Sequence, residues 1–332
     1  MDFLERYKAG DRAAVWDELL ALGEGVRDER YYVDASAVAT ETMRRARHNV
    51  ELLIRRLEAK GYRFRDTVSS AQDQLSRLGV LGQLSAQIEN RAASGTVAQN
   101  VHVTRMMESF RELQTKMAPF LEKAAGKAAK EAAAKKKPAL EDPQVFCPPD
   151  NKTPRSLAKL EKMLSGPLPL SLRAWYEQVG GVSLMGSHPV LNDVKFSSRV
   201  ILGQVSSLAM GQAAPNPGAG SDYAPDPLVV YPVEELLDQL SEREDDEEGD
   251  EGGKVELVIS PDELQKAHIS GDACYISLPD ARADFEFDNS RNATFVNYLR
   301  ISFTWGGFPG WERLKNAPLK EIAELTEGLL PI

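Results

Sequence analysis

Cysteine and histidine are scarce in this chain of 332 residues, which has two cysteines and four histidines. Cys147 and Cys274 stand far apart and lack the spacing of a metal site or of a redox pair. Zinc sites need three or four such ligands close together. We therefore expect two ordinary thiols, no metal and no cofactor.

Long hydrophobic runs are absent as well. Nowhere do about eighteen apolar residues follow one another, as a membrane-spanning helix requires. The segment from Met1 to Lys8 carries charged side chains where a signal peptide needs an apolar stretch. These absences predict a cytoplasmic protein without a membrane span. Hydrophobic residues still make up 42% of the chain, which is enough for the cores of about two domains.

Basic and acidic residues are unevenly distributed along the chain. Residues 1–137 hold 24 Lys and Arg against 19 Asp and Glu, whereas residues 138–332 hold 16 against 31. The change of sign coincides with an Ala/Lys-rich stretch that is typical of a semi-rigid helical spacer. We predict a first domain over residues 1–123, a linker over 124–144, a second domain over 145–315, and a C-terminal helix or tail over 316–332.

The first 123 residues show helical patterns and no strand signals. Residues 11–22 and 36–60 repeat apolar side chains at helical spacing, and two further amphipathic stretches cover residues 67–93 and 96–123. The simplest packing of such elements is an antiparallel bundle of about four or five helices.

The second half contains a set of residues that we predict to be buried: Leu172, Trp175, Tyr176, Val179, Gly180, Gly181, Phe295, Leu299 and Phe303. The first four recur at i, i+3, i+4 and i+7 and so lie on one face of a helix. Pro169 suits the first turn of that helix, and the two glycines suit its end. The three remaining residues are spaced by four, which gives a later helix its buried side.

Short β-rich runs between these helices are predicted as strands at residues 228–231, 255–259, 274–278 and 284–287. Ser260 and Glu263 fit a capping box with Pro261 at the first helical position, which predicts a helical turn after the second strand. The predicted fold of this half is α+β, with helices packed on a mixed sheet.

Several segments of the second half occur in the same order in the SMI1/KNR4 family, also called the SUKH superfamily. The matching segments are Gly166-Pro-Leu-Pro-Leu-Ser-Leu-Arg ending in Gly-Gly, Asp226-Pro-Leu-Val-Val-Tyr, Ile259-Ser-Pro-Asp-Glu-Leu, Gly271-Asp-Ala-Cys-Tyr-Ile-Ser-Leu-Pro-Asp, and Thr294-Phe-Val-Asn-Tyr-Leu-Arg leading to Trp305-Gly-Gly-Phe-Pro-Gly. Residues 145–315 thus resemble a bacterial member of this family. The resemblance implies a non-catalytic binding module, since many bacterial members are implicated as immunity proteins beside toxins and eukaryotic members act as regulatory interaction domains.

One run of the second half is strongly acidic: Glu242, Glu244, Asp245, Asp246, Glu247, Glu248, Asp250 and Glu251. Such a block repels itself and is expected to form a solvated loop. It can also act as a surface of one sign that steers a basic protein, such as a toxin, toward the chain.

The first half contains an arginine stripe: Arg44, Arg45, Arg47, Arg55, Arg56, Arg63 and Arg65. Arginines in such number can neutralise the phosphates of a nucleic acid. Acidic residues are interleaved, however, and aromatic residues are few, so a solvated helix face is the preferred interpretation. The stripe can also face the acidic second half of the same chain.

Candidate catalytic residues are few. His48 and Glu51 have a spacing that can bind metal in a helical bundle, but further ligands are lacking. Ser187 and His188 are neighbours that point to opposite faces of an extended chain, and the surrounding sequence is not that of a nucleophile elbow. Cys274 lies in an alternating run that predicts a buried position.

The sequence therefore predicts a protein-interaction module that is not an enzyme, in the form of an immunity protein that neutralises a toxin or of a defence-associated adaptor. Two alternatives stay open. One is a nucleic-acid-binding regulator that uses the arginine stripe, and the other is a hydrolase with an unrecognised site.

Overall fold

The computed structural model describes residues 2–64, 144–188, 190, 191, 225–244, 253–262, 266, 273–287 and 293–332. The chain forms two compact units. One consists of Met1–Thr67 together with Pro143–Ile332 and contains all of the described residues. The other unit is Val68–Asp142. The predicted helices over residues 67–93 and 96–123, and the predicted linker up to residue 143, lie outside the described residues.

Eight α-helices lie among the described residues: α1 (Phe3–Ala9), α2 (Arg12–Ala21), α3 (Glu29–Ala59), α4 (Thr153–Met163), α5 (Leu170–Gln178), α6 (Val233–Glu244), α7 (Phe295–Thr304) and α8 (Leu319–Thr326). Short 3₁₀ turns at Gly23–Arg27 and Pro309–Arg313 accompany them. The architecture of the described residues is mixed, with helices and small sheets.

Seven short strands form three small antiparallel sheets in the described residues: β1 (Arg63–Phe64), β2 (Phe146–Cys147), β3 (Gly181–Ser183), β4 (Gly186–Ser187), β5 (Val229–Val230), β6 (Val255–Pro261) and β7 (Ala273–Leu278). β1 pairs with β4, β3 lies between β2 and β5, and β6 pairs with β7. The N–H of Tyr231 donates to the carbonyl of Ile259 at 2.9 Å, so the end of β5 is joined to β6.

The first helices of the chain pack on the second half. α3 buries a continuous stripe of side chains that includes Val38, Met43, Val50 and Leu57, and this stripe lies against α5. The stripe follows helical spacing, so burying it requires a partner surface. The structure thus joins residues 1–67 to the C-terminal half, which differs from the division drawn on the sequence, where residues 1–123 form a domain of their own.

Helix α5 shows why its closing glycines are needed. Gly180 has φ +87°, a backbone conformation that residues with a Cβ atom rarely adopt. A Cβ atom at this position would also lie 2.0 Å from the carbonyl oxygen of Cys147. A Cβ on Gly181 would meet Pro232 at 3.0 Å. The end of α5 therefore brings β2 and the start of α6 close together.

The residues predicted for the core of the second half are all buried: Leu172, Trp175, Tyr176, Val179, Gly180, Gly181, Phe295, Leu299 and Phe303. Trp175 meets the ring of Phe295 edge to face, with 5.4 Å between the centroids. Phe285 stacks on the other side of Phe295 at 5.0 Å. The core of the second half thus centres on an aromatic cluster between α5 and α7.

Three local predictions were wrong. The first 64 residues contain a strand, β1, which the sequence did not indicate because it is only two residues long and gains its partner from β4. Residues 284–287 form an isolated bridge through Glu286 and Thr294 instead of a strand. The third error is one of position: Ser260 and Pro261 belong to β6, which pairs with β7, so the predicted helical turn does not begin at them. A helical turn does follow this strand, since Lys266 is helical and its N–H donates to the carbonyl of Asp262 at 3.0 Å.

Main-chain groups of the second half are bound by side chains of α3. The amide of Asn49 donates to the carbonyl of Leu330 at 2.8 Å and accepts from its N–H at 2.7 Å. The hydroxyl of Tyr62, just after α3, donates to the carbonyl of Leu184 at 2.7 Å. These bonds fix the register of the N-terminal helices on the second half. In the part of the chain that the structure describes, none of the helices combines the length and apolar character needed to cross a membrane.

Candidate partner-binding surface

Helix α6 presents an acidic face to solvent. Glu234, Glu235, Asp238 and Glu242 are exposed along it, and we call these four residues the acidic face. The opposite side of the helix is buried and consists of Val233, Leu236, Leu237 and Leu240. Because the buried side anchors the helix, the four carboxylates are displayed at fixed positions on the surface.

Two side chains hold α6 in this orientation. Gln239 forms a double hydrogen bond with the main chain of Val258 in β6, donating to its carbonyl at 2.9 Å and accepting from its N–H at 2.8 Å. Ser156 of α4 donates to the Glu234 carboxylate at 3.3 Å. A rotation of α6 would break both contacts, so the direction of the acidic face is determined by the fold.

The acidic face carries like charges that repel one another. Partial burial and the negative charges of Asp238 and Glu242 raise the pKa of Glu235 above its usual value. Neither Glu235 nor Asp238 forms an ion pair with a described residue. A basic partner that approaches this helix would relieve the repulsion, and this is the electrostatic property that distinguishes the helix.

The predicted acidic run begins on the same helix. The sequence placed it in a loop after residue 240, but α6 extends to Glu244, so Glu242 and Arg243 are exposed in its last turn. This difference arises because Leu240 is buried and continues the apolar side of the helix. The rest of the predicted run lies outside the described residues: Asp245, Asp246, Glu247, Glu248, Asp250 and Glu251.

A pocket of about 200 Å³ opens beside the N-terminus of α6. Four segments of the chain line it: the stretch from Gln144 to Thr153, Tyr176 of α5, the pair Gly180–Gly181, and the start of α6 up to Glu234. Pockets for small molecules and cofactors usually measure about 300–1,000 Å³. This pocket is smaller and fits a group of the size of an amino-acid side chain.

The hydroxyl of Tyr176 is the unusual polar group of this pocket. It is completely buried and has no hydrogen-bond partner among the described residues. Burial, and the nearby charge of Glu234, raise the pKa of Tyr176 far above its usual value, so the hydroxyl keeps its proton. An unpaired buried hydroxyl is costly, by roughly 1–3 kcal/mol.

Asp150 supplies a second carboxylate to the pocket. Its Oδ1 accepts hydrogen bonds from the N–H groups of Lys152 at 2.8 Å and Thr153 at 3.1 Å. These bonds lower the pKa of Asp150. The rim of the pocket therefore carries negative charge from both Asp150 and Glu234.

The arginine stripe is largely engaged within the chain. Arg44 and Arg45 both bind Glu41, at 2.8 and 2.7 Å, and this holds the pKa of Glu41 at about 2. Arg45 also donates to the carbonyl of Pro331 at 3.2 Å. The stripe thus faces the second half of its own chain, one of the alternatives left open by the sequence.

Two more arginines of the stripe bind carbonyls at helix ends. Arg47 reaches Gln178, the last residue of α5, and Arg56 reaches Leu325 near the end of α8. Arg55 and Arg63 are exposed, and Arg65 lies outside the described residues. A cation at a helix C-terminus is favourable because the helix dipole is negative there.

The candidate catalytic residues are occupied or isolated. His188 accepts hydrogen bonds from two main-chain N–H groups at Nδ1, both at 3.2 Å, and its Nε2 lies 3.2 Å from the carbonyl of Lys60. Both ring nitrogens thus serve the local structure. Asp193, an acid that lies nearby in the sequence, is outside the described residues.

Three candidates remain: His48, Glu51 and Cys274. His48 is exposed, and Glu51 pairs with Arg47 at 2.9 Å. Cys274 is buried. Within the described ranges, no group of three His, Cys, Asp or Glu residues has the geometry to hold a metal ion.

The sequence did not indicate two buried sites of charged side chains. Lys266 and Asp226 form an ion pair at 2.8 Å with almost no exposure of either side chain. Asp284 is buried between the first turns of α5 and α7, where it accepts hydrogen bonds from the hydroxyl of Ser171 at 2.5 Å and the N–H of Val296 at 3.0 Å. The partners of these acids are distant in sequence, so only the fold brings them together.

Three residues of the acidic face, Glu234, Glu235 and Asp238, were missed in the sequence, where only the run from Glu242 to Glu251 was identified. The amphipathic helical spacing from Val233 onward is the signal that could have found them. The pocket has no such signal, since its walls come from segments up to 90 residues apart. Comparisons with known protein families, with curated proteins and with solved structures find no match to this chain.

Proposed function

We propose that this protein is a non-catalytic interaction module that binds a basic protein through the acidic face of α6. The observation that carries this proposal is the display of four like charges at fixed positions on α6, where partial burial and the charges of Asp238 and Glu242 raise the pKa of Glu235. A cationic partner supplies a counter-charge to this surface, and complementary charge accelerates association.

The hydrogen bonds of the arginine stripe within the chain favour a protein partner over a nucleic acid. Arg45, Arg47 and Arg56 bind carbonyl groups of the second half, so much of the basic surface is consumed in holding the chain together. The solvent-facing side of α6 carries four carboxylates against one arginine, Arg243, and this net negative charge would repel phosphates.

The more specific form of the proposal comes from the SMI1/KNR4 resemblance of residues 145–315. It favours a cytoplasmic immunity protein that neutralises a basic toxin, or a defence-associated adaptor. In both cases the partner must be captured quickly at low concentration, and steering by a surface of one sign raises the association rate for that purpose.

The experiment compares three versions of the full chain as bait in extracts of its source cells: the wild type, an acidic-face variant with Glu235→Gln, Asp238→Asn and Glu242→Gln, and a control with Glu29→Gln, Glu58→Gln and Glu327→Gln. Both variants lose three charges, but the control loses exposed carboxylates outside α6. The partner should be retained by the wild type and the control and lost by the acidic-face variant.

Association kinetics with the purified partner then test whether the acidic face accelerates association. We expect the acidic-face variant to associate about tenfold more slowly at low salt, with a smaller change in dissociation, and the difference to fade as the Debye length falls below about 10 Å above 0.1 M salt. Equal association rates for the two variants would refute the proposal. Replacing the acidic run from Glu242 to Glu251 by Ser and Gly tests in the same way whether that run contributes.

A further inference from the structure

The pocket beside α6 has the chemistry of a receptor for one basic side chain. Its charged groups are the carboxylates of Asp150 and Glu234, and the side chains of Gln144, Cys147, Thr153 and Tyr176 add neutral polar groups that include acceptor oxygens. Among the described residues that line it, none is a lysine or an arginine. A group rich in N–H donors and positively charged complements such walls.

The Tyr176 hydroxyl marks the floor of this pocket as a place for a ligand. It is buried without a partner, which is uncommon because buried polar groups are almost always hydrogen-bonded. The aromatic ring is packed in the core, so the hydroxyl cannot turn to solvent to find a partner. Tyr176 has no exposure in the free protein, so an N–H group that enters the pocket donates to this oxygen once the side chains around it shift.

We propose that this pocket binds the guanidinium or ammonium group of an arginine or lysine presented by the protein partner. The proposal rests on the proposed function, since it names the group that the basic partner inserts. Glu234 belongs both to the acidic face and to the pocket rim, so the surface that attracts the partner is continuous with the pocket that holds it. The acidic face raises the association rate, and the pocket lowers the dissociation rate of the complex.

The size of the pocket favours a side chain over a larger ligand. Its volume of about 200 Å³ accommodates a guanidinium or ammonium head with part of its aliphatic stem. Gly180 and Gly181 let β2, α5 and α6 approach closely, and this keeps the pocket narrow.

The test uses N-acetyl-arginine amide as the probe and N-acetyl-citrulline amide as its neutral match of nearly the same shape. Binding to the full chain is followed by the rate at which iodoacetamide alkylates Cys147, which lines the pocket, with buried Cys274 as internal reference. Amide NMR shifts of Gly180 and Gly181 give the Kd. The arginine probe should protect Cys147, and the citrulline probe should not.

Two variants assign the contacts. Tyr176→Phe should weaken binding of the arginine probe about fivefold, and Glu234→Gln about tenfold, which correspond to one neutral and one charged hydrogen bond. The matched controls are Tyr7→Phe, which removes a buried hydroxyl from α1, and Glu58→Gln, which removes an exposed carboxylate from α3. Neither control should change the Kd.

Thermal unfolding separates binding from structure. A hydroxyl with no partner in the fold contributes no stabilising bond, so Tyr176→Phe should unfold at the same temperature as the wild type or higher. Equal protection by citrulline, or an unchanged Kd in Tyr176→Phe, overturns the pocket proposal. Such a result leaves the acidic-face kinetics intact, whereas equal partner association in the acidic-face and control variants overturns the proposed function without affecting the probe measurement.

Discussion

The guanidinium of Arg47 donates a hydrogen bond of 3.2 Å to the carbonyl oxygen of Gln178, a residue 131 positions further along the chain. Arg47 belongs to α3 and Gln178 ends α5, so the bond joins the first helices of the protein to the core of its second half. A basic residue that suggests nucleic-acid binding in the sequence is thus part of the internal framework.

Because these helices share one core, we predict that residues 1–67 and 143–332, produced as two separate chains in one cell, co-purify as a complex. α3 buries its apolar stripe against α5, and each piece alone would expose that surface. Co-elution on size exclusion with the helical content of the intact unit is the expected result. A stable, cooperatively unfolding 143–332 fragment without its partner would contradict the shared core.

The Asn49 side chain should be important for stability. It is fully buried and satisfies both main-chain groups of Leu330. Asn49→Ala leaves the partly buried N–H and carbonyl of Leu330 without this partner, and we expect the free energy of unfolding to fall by about 1–3 kcal/mol. Denaturant titration measures the change, with exposed Asn297→Ala on α7 as the control. If both variants lose the same stability, the Leu330 contact is not responsible.

Trp175 is the largest side chain of the aromatic cluster and has no solvent exposure. Trp175→Ala removes its edge-to-face contact with Phe295 and leaves a cavity, so the free energy of unfolding should decrease by about 3–5 kcal/mol. Partly exposed Trp305→Ala serves as the comparison. A loss of less than about 1 kcal/mol at Trp175 would show that the aromatic cluster is not the core of this half.

Asp284 should make stability depend on pH. Burial raises the pKa of its carboxyl to about 6, although hydrogen bonds from Ser171 and Val296 act in the opposite direction. The ordinary value is 3.8, so between about pH 4 and pH 6 the folded state binds more protons than the unfolded state. The contribution of this group to stability is therefore present at low pH and is lost as the pH rises through 6.

The measurement compares the wild type with Asp284→Asn, which keeps an oxygen acceptor and cannot titrate. The difference in free energy of unfolding between the two should change by up to about 3 kcal/mol between pH 4 and pH 7, since one pKa unit corresponds to about 1.4 kcal/mol. Acids such as Glu41, whose pKa is lowered by Arg44, contribute stability that is lost as the pH falls. Both proteins contain these acids, so their contribution cancels in the difference. A difference that does not vary with pH would show that Asp284 titrates normally.

The positions of α2, α3, α5 and α7 and the core residues of the second half followed from local pattern. The face of α5 with Leu172, Trp175 and Tyr176 could be located because helical spacing depends only on sequence neighbours. The acidic side of α6 was missed, because attention fell on the run of carboxylates that begins at Glu242. Short strands such as β1 could not be found, because two residues carry no periodicity and form a strand only where β4 supplies a partner.

The sequence by itself determined that α3 and α5 each have one apolar side and that the second half mixes helices with short strands. Only the tertiary structure decided that α3 packs on α5 and that Arg47 donates a hydrogen bond to the carbonyl of Gln178. It also decided that the hydroxyl of Tyr176 has no hydrogen-bond partner among the described residues and that Tyr176 and Glu234 line the same pocket. The physical reason is that amphipathic spacing specifies which side of an element is buried but not what it is buried against. The choice of partner depends on contacts between residues more than 100 positions apart, which are made only when the whole core closes.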